Sequence, residues 1–315
     1  MSDTSKAPFA APGSFLNRTV LITGGAGTLG RPLSIALAKA GANVIVNDLG
    51  TSPHHTTSTS TPQNPASSLA AELTSLGLSA VASTHNVVTS SAAVVDFAME
   101  TFGRIDAVIN CVGVHPFAPF EDQDADVCRQ ALETNVLGPM QVIRAAWPHF
   151  KKQKYGRVVN FTSDGMFGME KSAAYVAGKG AILGLTRSLA LEGEPFGITV
   201  NACAPVAYPP MVMIAFEALP QGQQEWYKTT FTAESNVPMI MALVSNECNI
   251  NGEAFEVGVW AAGKMVLGTT KGIAGLRTVE QCLEKLDGLT GKGISKEVFE
   301  PKDVADYLTF KAGYI

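Results

Sequence analysis

The chain has 315 residues, of which 46% are hydrophobic and 16% are charged, a composition that suits one large α/β domain with a substantial core. Its 23 Lys and Arg against 28 Asp and Glu give a net charge of -5, which argues against nucleic acid or an anionic membrane surface as a partner. The 5 scattered cysteines contain no CxxC pair, so neither disulfides nor a metal site are predicted. No apolar stretch approaches the roughly 18 residues that span a bilayer. The last residues carry no Ser-Lys-Leu peroxisomal address, and we expect a cytoplasmic protein.

Residues 1–16 are rich in Ser, Ala and Pro and predict a flexible N-terminal tail. Beyond them, short β-branched runs alternate with helical stretches, which is typical of a parallel sheet with crossover helices. Because the strands are apolar throughout, both faces of the sheet are expected to be covered. We therefore predict a doubly wound Rossmann-type α/β domain over residues 17–260. Its strands are predicted at 19–22, 43–47, 80–83, 107–110, 158–161 and 199–202.

Three stretches depart from this alternation. Residues 50–67 are rich in Ser, Thr, Pro and His and predict a surface insertion before a helix at 69–76. Residues 207–236 mix Pro, Met and aromatic residues after the sixth strand, where a loop borders the ligand crevice, and predict a substrate lid. Residues 261–315 predict a C-terminal extension that packs on the domain or on a partner subunit, within a homodimer or homotetramer.

A glycine-rich turn follows the first strand and opens a helix, in the sequence Thr-Gly-Gly-Ala-Gly-Thr-Leu-Gly at 23–30. Glycines allow a tight turn and let the backbone approach a pyrophosphate, which the unpaired N–H groups of the helix N-terminus attract. The pattern predicts a dinucleotide site. We expect four residues of the turn to contact the cofactor: Gly24, Thr28, Leu29 and Gly30.

An acidic residue, Asp48, ends the second strand about twenty residues further on. A carboxylate there accepts hydrogen bonds from the ribose hydroxyls of the adenosine and repels a 2′-phosphate, so Asp48 favours NAD over NADP. Arg31 is close enough in sequence to offset that repulsion, so NADP stays possible. The alternative is that Asp48 only begins a turn.

Tyr175 and Lys179 are spaced four residues apart, so a helix places both on one face. A phenol is a poor acid or base at neutral pH, and a neighbouring ammonium favours the phenolate and lowers the phenol's pKa. The pair therefore predicts a catalytic centre for proton transfer.

Further polar residues follow neighbouring strands or helices. Ser163 stands at the carboxyl end of the fifth strand, where its hydroxyl is expected to hydrogen-bond the reacting oxygen. Asn110 and Gly113 close the fourth strand beside the expected cofactor, and Pro205, at the end of the sixth strand, is expected to contact it as well. Asn135 lies in a helix and is suited to holding a water in a proton relay.

Together these residues resemble the short-chain dehydrogenase/reductase family over residues 17–260. The resemblance implies an NAD(P)-dependent oxidoreductase that interconverts a secondary alcohol and a carbonyl of a small-molecule substrate by hydride transfer. It implies that Tyr175 is the general acid/base and that Lys179 lowers its pKa and holds the nicotinamide ribose. It also implies that Ser163 binds the substrate oxygen and that Asn135 serves the relay.

Further segments resemble more specifically the dehydrogenase unit of the peroxisomal multifunctional enzyme of fatty-acid β-oxidation. That resemblance implies a (3R)-hydroxyacyl-CoA substrate, oxidised with NAD. The length of this chain leaves no room for the hydratase and lipid-carrier domains of the full enzyme, so we expect a stand-alone protein, suited also to an intermediate of specialised (secondary) metabolism. The segments are 46–50, 102–106, 144–147, 151–157 and 255–258.

The active-site loop departs from the family's spacing. Ser163 precedes Tyr175 by twelve residues where the family usually has thirteen, a count that would select Thr162 instead. Smaller departures are Thr28, which replaces a glycine of the turn, and Cys111, which replaces an Asn.

The shortened loop brings Asp164 beside the site. A carboxylate there would raise the pKa of Tyr175 and repel anionic substrates unless it is paired, and Arg129 is the expected partner. The alternative is that Asp164 caps the next turn and faces solvent. A second function follows from the same residues: a cyclase or isomerase, or a bifunctional reductase-cyclase, that uses Asp164 and Arg129 for acid/base work. In either case Trp226, in the predicted lid, could stack on a substrate ring or simply anchor the lid.

Overall fold

The computed structural model describes residues 15–50, 64–208, 216–270, 272–273, 276–290 and 298–312. Most of the predicted tail lies outside these ranges. Phe15, however, is buried, and its backbone N–H donates to the carbonyl of Ala40, so the packed domain begins two residues before the predicted boundary. Within the described ranges, no helix has both the length and the apolar character needed to cross a membrane.

The described residues form one eight-stranded sheet with the order β3-β2-β1-β4-β5-β6-β7-β8. Its order reverses at β1, from which the chain first builds outward to β3 and then returns to place β4 on the other side. The pairings from β3 across to β7 are parallel. The strands are β1 (Thr19–Thr23), β2 (Asn43–Asn47), β3 (Ala80–Ser83), β4 (Ala107–Asn110), β5 (Gly156–Phe161), β6 (Ile198–Pro205), β7 (Ala254–Gly258) and β8 (Ala261–Met265).

Helices connect the strands. Those of the sheet-bearing unit are α1 (Gly30–Lys39), α2 (Pro65–Ser75), α3 (Ser91–Phe102), α4 (Ala125–Leu132), α5 (Gly138–Gln153), α6 (Ala173–Gly193), α7 (Gln221–Thr230) and α8 (Val237–Val244). A π-helical turn, Glu133–Leu137, joins α4 to α5. The insertion predicted at 50–67 lies outside the described residues from 51 to 63. It ends earlier than predicted because Asn64 caps α2 by accepting hydrogen bonds from the backbone N–H groups of Ala66 and Ser67.

Two hydrophobic clusters cover the two faces of the sheet, as the apolar strands predict. Successive residues of a strand point to opposite faces, so Val20 and Ile22 join one cluster while Leu21 joins the other. The first cluster contains residues of α1, α2 and α8, and the second contains residues of α3, α5 and α6. The doubly wound fold follows directly, and it leaves the carboxyl ends of the parallel strands free to carry a site.

The last two strands, β7 and β8, were not predicted from the sequence. β7 and β8 are joined by a two-residue turn, Val259 and Trp260, whose positive φ angles of 48° and 61° match a type I′ hairpin without a glycine. Because β8 continues the sheet, the chain divides at 264/265, four residues after the predicted boundary. The second unit, residues 265–315, contains α9 (Val279–Thr290) and α10 (Val304–Ala312).

Candidate active site

The glycine-rich turn has a shape that only glycine permits. Gly24 has a φ of +66°, and a Cβ on Gly30 would lie 2.1 Å from the carbonyl oxygen of Gly24. At the start of α1, Leu29 provides no side-chain cap, and the first helical turn has no acidic residue. The N–H of Arg31 donates to the carbonyl oxygen of Gly27, and Pro32 has none, so the N–H groups that can meet an anion are those of Leu29 and Gly30. This helix start and the glycines before it fit the pyrophosphate of a dinucleotide.

A cavity opens over this turn at the carboxyl ends of β1, β2 and β4. Its wall includes five residues that were predicted to bind the cofactor: Gly24, Thr28, Leu29, Gly30 and Asp48. Gly113, predicted as well, lines it from the loop after β4. Residues not predicted also line it, among them His85, Asn86, Cys111 and Thr134.

Asp48 is held by backbone groups of the turns around it. Its carboxylate accepts hydrogen bonds from the N–H of Ala26 (3.2 Å) and of Gly50 (2.8 Å). Burial raises its pKa, and the two backbone bonds oppose that rise. Arg31, which would favour a 2′-phosphate, lies 2.6 Å from Glu72 in an ion pair.

Asn110 and Pro205, both predicted to contact the cofactor, lie outside the cavity wall. Asn110 is buried, donates to Asn160 (2.9 Å) and accepts from Thr23 (3.4 Å), so its amide bridges β1 and β5. Pro205 pairs with Val257 in the β6–β7 register. The prediction placed both residues by strand ends, and the structure gives Asn110 a bonding role within the sheet instead.

Tyr175 and Lys179 lie in the first turns of α6, and both are buried. The ammonium of Lys179 lies 5.6 Å from the centroid of the Tyr175 ring and donates to the carbonyl oxygen of Phe161 (2.7 Å). A Cβ on Gly113 would be only 3.6 Å from the same Nζ. The helix thus places Lys179 directly behind Gly113, a residue of the cavity wall, although neither Tyr175 nor Lys179 lines the cavity itself.

The electrostatics of the tyrosine differ from the expectation. The sequence predicts that Lys179 lowers the pKa of Tyr175, but burial raises it, a hydrogen-bonding contact with Ser163 lowers it and the charge of Asp164 raises it. The lysine responds in the complementary way, because burial lowers the pKa of Lys179 to about 8. Removal from water favours the neutral form of each group, and it is the largest cause of the pKa shift of both.

Of the two candidate hydroxyls, Ser163 and not Thr162 faces the tyrosine. Thr162 donates to the carbonyl oxygen of Lys179 (2.8 Å) and so anchors the backbone of α6. The Ser163 hydroxyl accepts from the N–H of Gly165 (3.1 Å) and contributes to the pKa of Tyr175. Alternation of side chains along an extended strand puts the two neighbours on different sides.

Asn135 lies within the π-helical turn between α4 and α5 and is almost fully buried. Its amide exchanges two hydrogen bonds of 2.8 Å with the backbone of Val114, one as donor and one as acceptor. π-Helical turns inside α-helices occur often at functional sites. This turn fixes the loop after β4 against the junction of α4 and α5.

Asp164 and Arg129 do not form the expected pair. Arg129 makes its ion pair with Asp126, on its own helix, and both side chains are exposed. Asp164 is exposed and accepts from the Ser163 hydroxyl at 3.1 Å, while Ser163, not Asp164, caps the following turn. The prediction failed because α4 offers Arg129 a carboxylate three residues away, a separation that a helix brings into contact.

The described part of the predicted lid is an aromatic cluster on α7 and its flanks. Residues 209–215 lie outside the described ranges. Tyr227 stacks on Phe231 at 4.4 Å between ring centroids, and both burial and the charge of Asp164 raise its pKa. Trp226 is 57% exposed and meets Phe231 edge-on at 5.1 Å. Tyr227, therefore, is the lid residue whose charge environment includes Asp164.

One buried residue at the centre was missed altogether. His115 stacks on Tyr175 with 3.8 Å between ring centroids and an angle of 10° between the planes. Its Nε2 lies 2.8 Å from the hydroxyl of Ser172. A lone histidine two residues after a glycine gives no periodic or spacing signal, so only the folded chain brings it to notice.

Comparison with known proteins supports a single family. The family model described as short chain dehydrogenase matches residues 18–213. The chain is 37% identical over 260 residues to the peroxisomal multifunctional enzyme type 2 of Mus musculus, covering 81% of this chain and 34% of that protein. It is 35% identical over 245 residues to a short-chain type dehydrogenase/reductase of Mycobacterium tuberculosis, covering 77% of this chain and 82% of that one.

Solved structures agree with this family. A short chain dehydrogenase from Mycobacterium avium superposes with a TM-score of 0.73 at 27% identity, covering 89% of this chain and 96% of that one. The peroxisomal multifunctional enzyme type 2 of Drosophila melanogaster matches with a TM-score of 0.74 at 21% identity, which bears on the fold alone. This chain spans about a third of the length of the mouse enzyme.

Proposed function

The chain belongs to the short-chain dehydrogenase family, and on this premise we propose that it is an NAD-dependent oxidoreductase that interconverts a secondary alcohol and a carbonyl at Tyr175. The observation that carries the proposal is the joint burial of Tyr175 and Lys179 beside Ser163, with Lys179 directly behind Gly113 of the glycine-lined cavity. A protein that only binds a dinucleotide has no need for this second set of residues.

Each residue of the set has a distinct task. Bound nicotinamide supplies the hydride acceptor or donor. Tyr175 keeps its proton at neutral pH, since its pKa is raised, and so acts as the acid that protonates the substrate oxygen during carbonyl reduction. Ser163 orients that oxygen. Lys179, whose pKa is about 8, is charged at neutral pH and donates hydrogen bonds at the junction of the cavity and the phenol.

The same electrostatics predict how the two directions depend on pH. Oxidation needs Tyr175 without its proton, and the raised pKa of the phenol places that form at alkaline pH. Oxidation is therefore expected to accelerate as the pH rises above neutrality, whereas reduction is expected to slow.

NAD is the preferred cofactor in this proposal. Asp48 stands at the end of β2 with its charge stabilised by two backbone N–H groups, and it repels a 2′-phosphate. Arg31, the cation that directly follows the glycine-rich turn in sequence, is engaged by Glu72. NADP would have to bind against the repulsion from Asp48, while Arg31 is held in its ion pair with Glu72.

For the substrate we propose a 3-hydroxyacyl thioester or its ketone, because relatives at 36–37% identity are named as peroxisomal multifunctional and hydratase-dehydrogenase-epimerase enzymes. A specialised-metabolism intermediate is the variant of this proposal that the aromatic lid and the charge of Asp164 favour. The oligomer and the cytoplasmic location stay predictions. No contact in the described chain favours the cyclase alternative, since Arg129 is paired with Asp126.

The test follows NADH and NADPH absorbance with acetoacetyl-CoA for reduction and (3R)-3-hydroxybutyryl-CoA for oxidation. Tyr175→Phe should lower kcat by about 10²- to 10⁴-fold and leave the Kd for NADH unchanged, because only the proton donor is lost. Tyr155→Phe is the matched control, since Tyr155 lies before β5 and packs against Arg18 and Arg157.

A Tyr175→Phe protein with full activity would contradict the role assigned to the tyrosine. Tight binding of NADH without turnover of either probe would reject the acyl-thioester class and leave the specialised substrate.

A further inference from the structure

We propose that His115 is a positioning residue for Tyr175: its ring fixes the plane of the phenol and shields one face from water, and its bond to Ser172 ties the loop after β4 to the start of α6. The inference rests on the proposed function, in which Tyr175 transfers the proton. It concerns a residue outside the set formed by Asn135, Ser163, Tyr175 and Lys179.

The rings of His115 and Tyr175 are stacked on each other. Two rings at 3.8 Å and 10° are in full face-to-face contact, and such an arrangement is less favourable for aromatic pairs than an offset or edge-on one. His115 is 3% exposed and Tyr175 is 7% exposed, so the contact excludes water from that face of the phenol. Rotation of the phenol about its Cβ–Cγ bond would tilt the ring into the imidazole.

Ser172, at the start of α6, makes hydrogen bonds that are unusual for its position. This serine is the N-cap residue of α6, a position at which a serine side chain ordinarily accepts a hydrogen bond from the helix backbone, and here it makes no such bond. Its hydroxyl donates instead to the carbonyl oxygen of Glu170 (3.1 Å), which leaves its lone pairs to accept from Nε2–H of His115 (2.8 Å). The capping bond is replaced by a tether to the residue that stacks on Tyr175.

A second hydrogen bond joins the loop after β4 to the segment before α6, close to the contact between His115 and Ser172. The N–H of Ala118 donates to the carbonyl oxygen of Lys171 at 2.9 Å, and Lys171 holds a left-handed φ of 60° that is uncommon for residues other than glycine. On the other side of His115, Val114 is clamped by Asn135. The loop that carries His115 is thus held on both sides of this residue, which fixes the position of the imidazole against the phenol.

The charged and titratable groups around the phenol come from several elements. Lys179, from α6 itself, lies 5.6 Å from the ring centroid, and Asp164, from the loop after β5, raises its pKa. Lys171 lies over the Phe117 ring, which in turn meets His115 edge-on. Because burial is the largest cause of the raised pKa of Tyr175, removing the ring that covers it should lower that pKa.

The experiment compares His115→Ala, His115→Phe and Ser172→Ala with the wild-type protein. His115→Ala should reduce kcat by roughly 10- to 100-fold, as expected for a misplaced catalytic group, with an unchanged Kd for NADH. His115→Phe restores a ring that covers the phenol and should recover most of that loss. Ser172→Ala keeps the ring and removes the tether, so a smaller loss of kcat is expected.

A second readout needs no substrate. The ultraviolet absorbance of tyrosinate is titrated for each protein and for the same protein with Tyr175→Phe, and the difference isolates Tyr175. The ionisation should move to lower pH in His115→Ala and stay in place in His115→Phe. A purely structural role would lower the Tm of His115→Ala without this movement.

Three results would overturn the inference: a kcat of His115→Ala within about twofold of wild type, an unmoved titration, or a His115→Phe protein that titrates like His115→Ala. If His115→Ala does not fold, wild-type kcat in Ser172→Ala would overturn the tether, and a His115→Phe protein whose Tyr175 ionises at lower pH than in the wild type would overturn the covering role of the ring. If the wild-type protein reduces no carbonyl at all, the proposed function fails, and the titration still decides the role of His115.

Discussion

The two ends of the site are specified in different ways. At the nucleotide end, the backbone makes the binding surface, and glycines are required because a Cβ at Gly30 would overlap the carbonyl oxygen of Gly24. At the catalytic end, side chains make the surface, and their properties depend on neighbours that come from distant parts of the chain. Tyr175, for instance, is covered by His115 and influenced by Ser163 and Asp164.

This difference explains why the ends respond differently to change. A backbone site has one steric solution, so one added methyl group destroys it. A side-chain site tolerates the same group where there is room, and it changes instead through charge and burial. The following predictions test the two halves against each other.

The largest effect is expected for Gly30→Ala. The added Cβ would stand 2.1 Å from a backbone oxygen that cannot rotate away, so the turn must open. We expect the free energy of unfolding, measured in urea, to fall by about 3 kcal/mol or more and NADH binding to be lost.

Gly180→Ala is the matched change at the catalytic end. Gly180 lies one residue after Lys179 in α6, and nothing stands within 4 Å of its Cβ position. Alanine should stabilise the helix by about 0.5–1 kcal/mol and leave NADH binding intact. Equal destabilisation by the two substitutions would refute the steric distinction between the ends.

Lys179→Met should trade catalysis for stability. The unfolded lysine keeps its proton up to its ordinary pKa of 10.5, whereas the folded one releases it above about 8, so the folded state binds fewer protons between these values. Wild-type stability therefore rises with pH from about 8 to 10.5, and below 8 the protein carries the full cost of the buried charge. At pH 7 the variant should gain about 1–3 kcal/mol in free energy of unfolding and lose most of its activity.

The control for this prediction is the exposed Lys39 at the end of α1, where Lys39→Met should leave the pH dependence of stability unchanged. If the Lys179→Met protein keeps the wild-type rise between pH 8 and 10.5, the buried ammonium is not its source.

The nucleotide end could be predicted from the sequence more fully than the catalytic end. The strand bounds of β2, β3 and β4 and the glycine turn were predicted at the residues where the structure has them, because apolar runs and glycine spacing are local signals. β7 and β8 were missed, since their turn at Val259 and Trp260 lacks the glycine or asparagine that marks a hairpin.

At the catalytic end, the sequence identified Tyr175, Lys179 and Ser163 but not their electrostatics. Spacing cannot reveal that burial is the largest influence on the pKa of Tyr175, because burial depends on the whole fold. Arg129 was predicted to pair with Asp164, but Asp126, three residues before it on the same helix, is the carboxylate that it contacts.

Asp48→Asn should act on selectivity at the nucleotide end without disturbing its shape. The amide keeps an acceptor for one of the two backbone N–H groups and removes the charge that repels a 2′-phosphate. The ratio of kcat/KM for NAD to that for NADP should fall by about tenfold, equivalent to roughly 1.4 kcal/mol.

A second substitution separates the contribution of Asp48 to cofactor choice from that of Arg31. Glu72→Ala releases Arg31 from its exposed ion pair, and we expect it to change the ratio by less than about threefold, because such pairs are weak. A larger effect from Glu72→Ala than from Asp48→Asn would assign cofactor choice to Arg31.

A small effect on kcat is also expected for Asp164→Asn, which changes charge at the catalytic end as Asp48→Asn does at the other. The carboxylate raises the pKa of Tyr175, so its loss should move the pH at which alcohol oxidation sets in to lower values. Because Asp164 is exposed, water and salt screen its charge, and kcat at neutral pH should change by less than about tenfold. The measurement is kcat for oxidation against pH at low and high salt, where high salt should bring the wild-type profile toward that of the variant. A shift toward higher pH would instead mean that Asp164 acts through the Ser163 hydroxyl that it accepts from, and not through its charge.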